Sequence, residues 1–67
     1  MKKIGVVTKY NGNYGLIITE DEIVDFSIDD LSFKEEISNG DLVEFRMETK
    51  SADLKLARNI RVVRKND

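Results

Sequence analysis

Two Asn-Gly steps, Asn11-Gly12 and Asn39-Gly40, punctuate a chain whose apolar residues recur mostly at every second position and nowhere at helical spacing. Asn-Gly tolerates positive φ at both positions, as tight hairpin turns require. Around these turns lie five short segments rich in β-branched and aromatic residues. Residues 2–10 hold Ile4, Val6, Val7, Thr8 and Tyr10, and residues 14–19 read Tyr-Gly-Leu-Ile-Ile-Thr. Glu20-Asp21-Glu22 makes a polar turn into residues 23–28, where Val24, Phe26 and Ile28 alternate with Ile23, Asp25 and Ser27 and should face the core. Residues 41–49 alternate again, with Val43, Phe45 and Met47 on one face. Residues 54–63 form a fifth strand whose pattern slips near Arg58-Asn59. Asp29-Asp30-Leu31 suits the start of one helical turn with an aspartate cap.

A chain of 67 residues is one domain with a small core. Five strands and no helix predict an all-β barrel, because closure removes the free edges an open sheet would present. Two closures fit, an OB-fold and an SH3-like barrel. A first tight hairpin, a three-strand meander, a long link and a final hairpin favour the OB type. The expected fold is therefore a five-stranded antiparallel Greek-key barrel over residues 1–64, with residues 65–67 a frayed tail.

Composition removes most chemistry. There is no cysteine and no histidine, hence no thiolate or imidazole metal ligand, no thiol nucleophile and no histidine general base. Asp21, Glu22, Asp25, Asp29 and Asp30 lack the spacing of an EF-hand loop, and so small a chain has no room for a sugar cleft. The expectation is no enzyme, no metal and no cofactor. No apolar run approaches the ~20 residues of a membrane span, and Ile4-Gly5-Val6-Val7 is too short for a signal-peptide core. A small cytoplasmic monomer is the expected setting.

The net charge of -2 hides an asymmetry. Residues 1–19 carry Lys2, Lys3 and Lys9 and no acid; residues 20–45 carry ten acids against Lys34; residues 46–67 carry seven bases against three acids. Brought together by the fold, the two basic ends would make a basic patch on an acidic protein.

In order and spacing these residues resemble a cold-shock domain. Gly5-Val6-Val7-Thr8-Lys9-Tyr10-Asn11 sits where that family has G-x-V-K-W-F-N. Gly12-Asn13-Tyr14-Gly15-Leu16-Ile17 resembles its first ribonucleoprotein motif, K-G-F-G-F-I, and Val24-Asp25-Phe26-Ser27-Ile28 its second, V-F-V-H-F. Asn39 to Phe45 resembles E-G-x-x-V-x-F, and Ala57-Arg58-Asn59-Ile60 the late A-x-N-V. The resemblance implies an OB-fold that binds single-stranded RNA or DNA by stacking bases on outward aromatics, at roughly 1–3 kcal/mol per base.

The departures bear on affinity. Lys9 stands at the family's tryptophan position, Tyr14 and Leu16 at its two outward phenylalanines, and Asp25 and Ser27 at an outward phenylalanine and histidine. The resemblance therefore implies weak binding through Tyr14, with Leu16 packing beside it and Lys9 available to phosphate. Phe33, where the family has a further stacking phenylalanine, is either a platform or a cap on the barrel. Lys50 and Lys55 bracket the loop between strands four and five, and with Arg58 they are the candidate phosphate contacts. Tyr10 is expected at the rim with its hydroxyl in water. The competing reading is a protein-interaction module on the same barrel, whose acidic middle would suit a basic protein partner.

Overall fold

The computed structural model describes residues 2–31 and 36–66. Strands β1 (Lys2–Thr8), β2 (Tyr14–Ile18), β3 (Ile23–Ser27), β4 (Leu42–Thr49) and β5 (Lys55–Arg64) form a closed barrel in the order β1-β2-β3-β5-β4. A 3-10 turn at Ile28–Asp30 follows β3. No described helix is long and apolar enough to cross a membrane.

The barrel is not antiparallel throughout, as the sequence led us to expect. Four ladders are antiparallel, but β3 and β5 run parallel, paired at Asp25 and Leu56. Directions cannot alternate around a ring of five strands, so at least one neighbouring pair must be parallel. Here the parallel ladder is the shortest, and an isolated bridge from Leu31 to Ile60 extends it in the same sense.

Strand alternation decides the core. Val7, Ile17, Val24, Phe26, Val43 and Phe45 point inward and are buried, joined by Ala57, Ile60 and Ile37. Ile28 breaks the expected parity and is exposed, because the chain has already left β3 for the 3-10 turn. Ser27, not an aspartate, is the N-cap residue of that turn, and Asp30 closes it from within: the Ser27 N–H donates to Asp30 Oδ2 at 2.9 Å. Met47 is only half-buried, packed against the core from its edge.

The slip near Arg58 is a bulge. Asn59 takes a left-handed φ of 53°, and the β4–β5 register shifts between Glu44 and Arg46. The extra residue lets Ala57 and Ile60, three apart, both face inward. Gly5 is required by close packing of β1 on β2. A Cβ there would stand 2.5 Å from Ile17 Cγ2 and 2.7 Å from the Ile18 carbonyl oxygen.

Residues 65 and 66, expected to fray, are tied to a buried carboxylate. Asp41 is 0% exposed. Its oxygens accept the Lys65 ammonium at 2.7 Å and the N–H groups of Asn66 and Ser38, both at 2.8 Å. Burial alone would raise the Asp41 carboxyl. The Lys65 ammonium and the two N–H donors outweigh that and hold it below the ordinary carboxylate value.

Candidate nucleic-acid interface

The β1–β2 hairpin presents the candidate aromatic. Asn11 Oδ1 accepts the N–H groups of Asn13 at 2.9 Å and Tyr14 at 3.0 Å, and the Asn11 N–H donates to the Tyr14 carbonyl. Positive φ falls on Lys9 and Gly12 rather than on Asn11. From the other turn, Asn39 grips the backbone of Tyr10: its Oδ1 accepts the Tyr10 N–H at 2.7 Å, and its Nδ2 donates to the Tyr10 carbonyl at 3.3 Å. Both Asn-Gly steps thus brace one loop.

Tyr10 sits half-buried at the edge of the core, as expected of a rim residue. Its ring stacks on Phe26 with centroids 5.6 Å apart and 23° between planes, and its hydroxyl donates to the Gly12 carbonyl at 3.3 Å. Gly15 makes the space, because a Cβ there would lie 2.7 Å from the Phe26 ring.

On this base Tyr14 stands 67% exposed. One shallow cleft of about 270 Å³ brings Tyr14 together with Lys9, Leu16 and Asp25, over a floor that includes Phe26. A second, of about 280 Å³, lies against Tyr14 with Asn13, Ser27 and Asp29. Tyr14 thus belongs to both clefts. Register explains the neighbours, since Tyr14 faces Ser27 and Leu16 faces Asp25 across β2 and β3. Lys9 and Asp25 each form no ion pair among the described residues, so the cleft carries one free charge of each sign.

The other basic candidates line neither cleft, and each is engaged by acids of the barrel. Lys55 Nζ lies 2.6 Å from Glu22 Oε1, and Lys3 holds the other Glu22 oxygen at 2.9 Å. These two ammonium groups, Lys55 foremost, hold the Glu22 carboxyl below its usual value. Arg58 reaches Asp30 at 2.9 Å and Glu48 at 3.3 Å, and the Asp30 hydrogen bond raises its guanidinium further. Lys50 pairs with Glu48 at 2.7 Å and is the largest cause of that carboxyl's lowered value. Phe33 lies outside the described residues.

Sequence reasoning does not find Glu22, Asp30 and Glu48 as the groups that engage these bases. In the sequence, Glu22 and Asp30 stand 33 and 28 residues from the bases they bind, and nothing local marks either pairing. Asn39 reads only as a turn residue, because a 29-residue separation hides its role as a structural clamp. Among the described residues no cluster of carboxylates is arranged to hold a metal ion. No protein-family model matches this chain, and no curated protein matches it.

Proposed function

We propose that this barrel is a cold-shock-like OB domain with Greek-key connectivity that binds single-stranded RNA or DNA weakly, one or two bases at a time. The observation that carries this reading is Tyr14, an exposed ring between two clefts on a braced hairpin. A base stacked on it gains about 1–3 kcal/mol, and Leu16 adds apolar contact at its edge. Lys9 offers one unpaired cation to a phosphate. Asp25 opposes the same phosphate, and Lys50, Lys55 and Arg58 are already neutralised. Support for the OB closure comes from the order β1-β2-β3-β5-β4, with the long link between β3 and β4.

In this reading the protein is a cytoplasmic binding module without chemistry of its own, holding a strand unpaired. Titration with a short pyrimidine-rich single strand at low salt, followed by amide shifts, tests it. Saturable shifts centred on Lys9, Tyr14 and Leu16 are expected, with a shallow salt slope of about 0.7 for one phosphate contact. No shift at millimolar oligonucleotide removes the reading.

A further inference from the structure

Beyond Leu16, the outer face of the same sheet changes character. Ile18 pairs with Val6 on β1 and with Ile23 on β3, and Ile4 follows two residues from Val6 on the same face. All four are exposed: Ile23 by 61%, Ile4 by 57%, Ile18 by 48% and Val6 by 41%. Strand propensity alone does not call for them. Threonine is equally β-branched and would keep a solvated face polar. Neighbouring exposed aliphatics, unlike single scattered ones, are a feature of interaction surfaces.

The rim of this row is acidic. Glu20 and Asp21 occupy the turn between Ile18 and Ile23, and Asp25 lies two residues beyond Ile23 on the same face. All three are exposed, and none forms an ion pair among the described residues. Two bases stand at one end of the row, where Lys2 and Lys3 line a cleft with Ile4, Glu20 and Asp21; Lys3 binds Glu22 at 2.9 Å and Lys2 lies 4.0 Å from Glu44, so the three unpaired carboxylates leave the rim net acidic. An apolar strip with a carboxylate rim matches a partner of aliphatic side chains flanked by cations. A second copy fits less well, because face-to-face stacking would bring two acidic rims together.

We propose that the Ile4–Val6–Ile18–Ile23 row is a docking surface for a protein segment in which aliphatic residues alternate with lysine or arginine. This surface adjoins the Tyr14 cleft, with which it shares Asp25, and stands whether or not Tyr14 takes a base. The partner inserts its aliphatic side chains along the row, and its cations meet Glu20, Asp21 and Asp25.

The test is methyl-resolved NMR of the whole chain with two synthetic peptides, one of leucine and lysine and one with glutamate for each lysine. Saturable shifts of the Ile4, Val6, Ile18 and Ile23 methyls with the lysine peptide are expected, weaker by about tenfold or more with the glutamate peptide. Ile18→Lys should abolish the shifts. Ile23→Thr, which keeps strand propensity, should weaken them with the amide spectrum otherwise unchanged. Unmoved methyls at saturating lysine peptide, or equal response to both peptides, overturn the proposal. So do methyl shifts that follow protein concentration alone, which would assign the row to a second copy, or methyl shifts driven by oligonucleotide, which would assign it to nucleic acid.

Discussion

The Glu22 carboxylate, just before β3, accepts the Lys55 ammonium at 2.6 Å from the start of the neighbouring β5, and this contact competes with any phosphate for Lys55. Glu22→Gln should free both Lys55 and Lys3. The expected result is a few-fold gain in oligonucleotide affinity at low salt, with the salt slope steepened by about 0.7 for one added phosphate contact. Fluorescence anisotropy at several salt concentrations measures it, and an unchanged slope would show that neither lysine reaches the strand.

Tyr14→Ala should weaken oligonucleotide binding by about 1–3 kcal/mol, whereas Tyr14→Phe should retain most of it. Thermal stability should barely move in either variant, since the ring is mostly in solvent. Asp25→Phe should strengthen binding by removing a charge and adding a second platform beside Leu16. Equal affinities for wild type and Tyr14→Ala would refute the cleft as a binding site.

Asp41→Asn should destabilise the fold by about 1.5–3 kcal/mol, because it removes a charged acceptor from the Lys65 and Asn66 hydrogen bonds. Urea unfolding gives the difference. Amide exchange at Asn66 should rise in the same variant, which separates loss of the tail contact from a general loss of stability.

Asp41, Glu22 and Glu48 all have carboxyls held below their ordinary values. A carboxyl with a lower pKa folded than unfolded stabilises the fold above its unfolded value, and that contribution is lost as pH falls through the folded value. The melting temperature should therefore be flat near neutrality and decline below about pH 4. Asp41→Asn should shrink the acid decline, and a decline identical to wild type would remove Asp41 as a cause.

Gly5→Ala should cost about 1–3 kcal/mol, since the new methyl meets the Ile18 carbonyl oxygen on the adjoining strand. Calorimetry measures the cost. A neutral result would mean that β1 and β2 separate more easily than their packing implies.

The core is largely legible in the sequence because strand parity is a local property. Val24 and Phe26, like Val43 and Phe45, face inward as alternation requires, and the slip at Arg58-Asn59 reappears as a bulge with left-handed Asn59. Ile28 departs from its expected place because parity holds only while the strand lasts. Lys9, Tyr14 and Leu16 are found together because the hairpin brings Lys9 of its loop beside Tyr14 and Leu16 of β2. Lys50, Lys55 and Arg58 are legible as bases, but the pairs Lys55 makes with Glu22 and Arg58 with Asp30 are not, because a residue's type does not reveal which distant acid it meets. The aliphatic row is present in the sequence as ordinary strand residues. Only the register, which sets Val6 beside Ile18 and Ile18 beside Ile23, turns it into a surface.

The parallel joint between β3 and β5 has a consequence for the chain's life in a crowded solution. A ring that is whole offers no strand for a stranger to pair with. Were Asp25–Leu56 and the Leu31–Ile60 bridge to part, together with the Glu22–Lys55 and Asp30–Arg58 ion pairs, the ring would become a ribbon whose two outer strands expose unpaired amides, with Ile23 on one of them. Parallel pairing is the less stable kind per residue, and here it is also the briefest ladder. Pairing with another chain would therefore start at this joint, and the contacts that close it guard the barrel against such pairing.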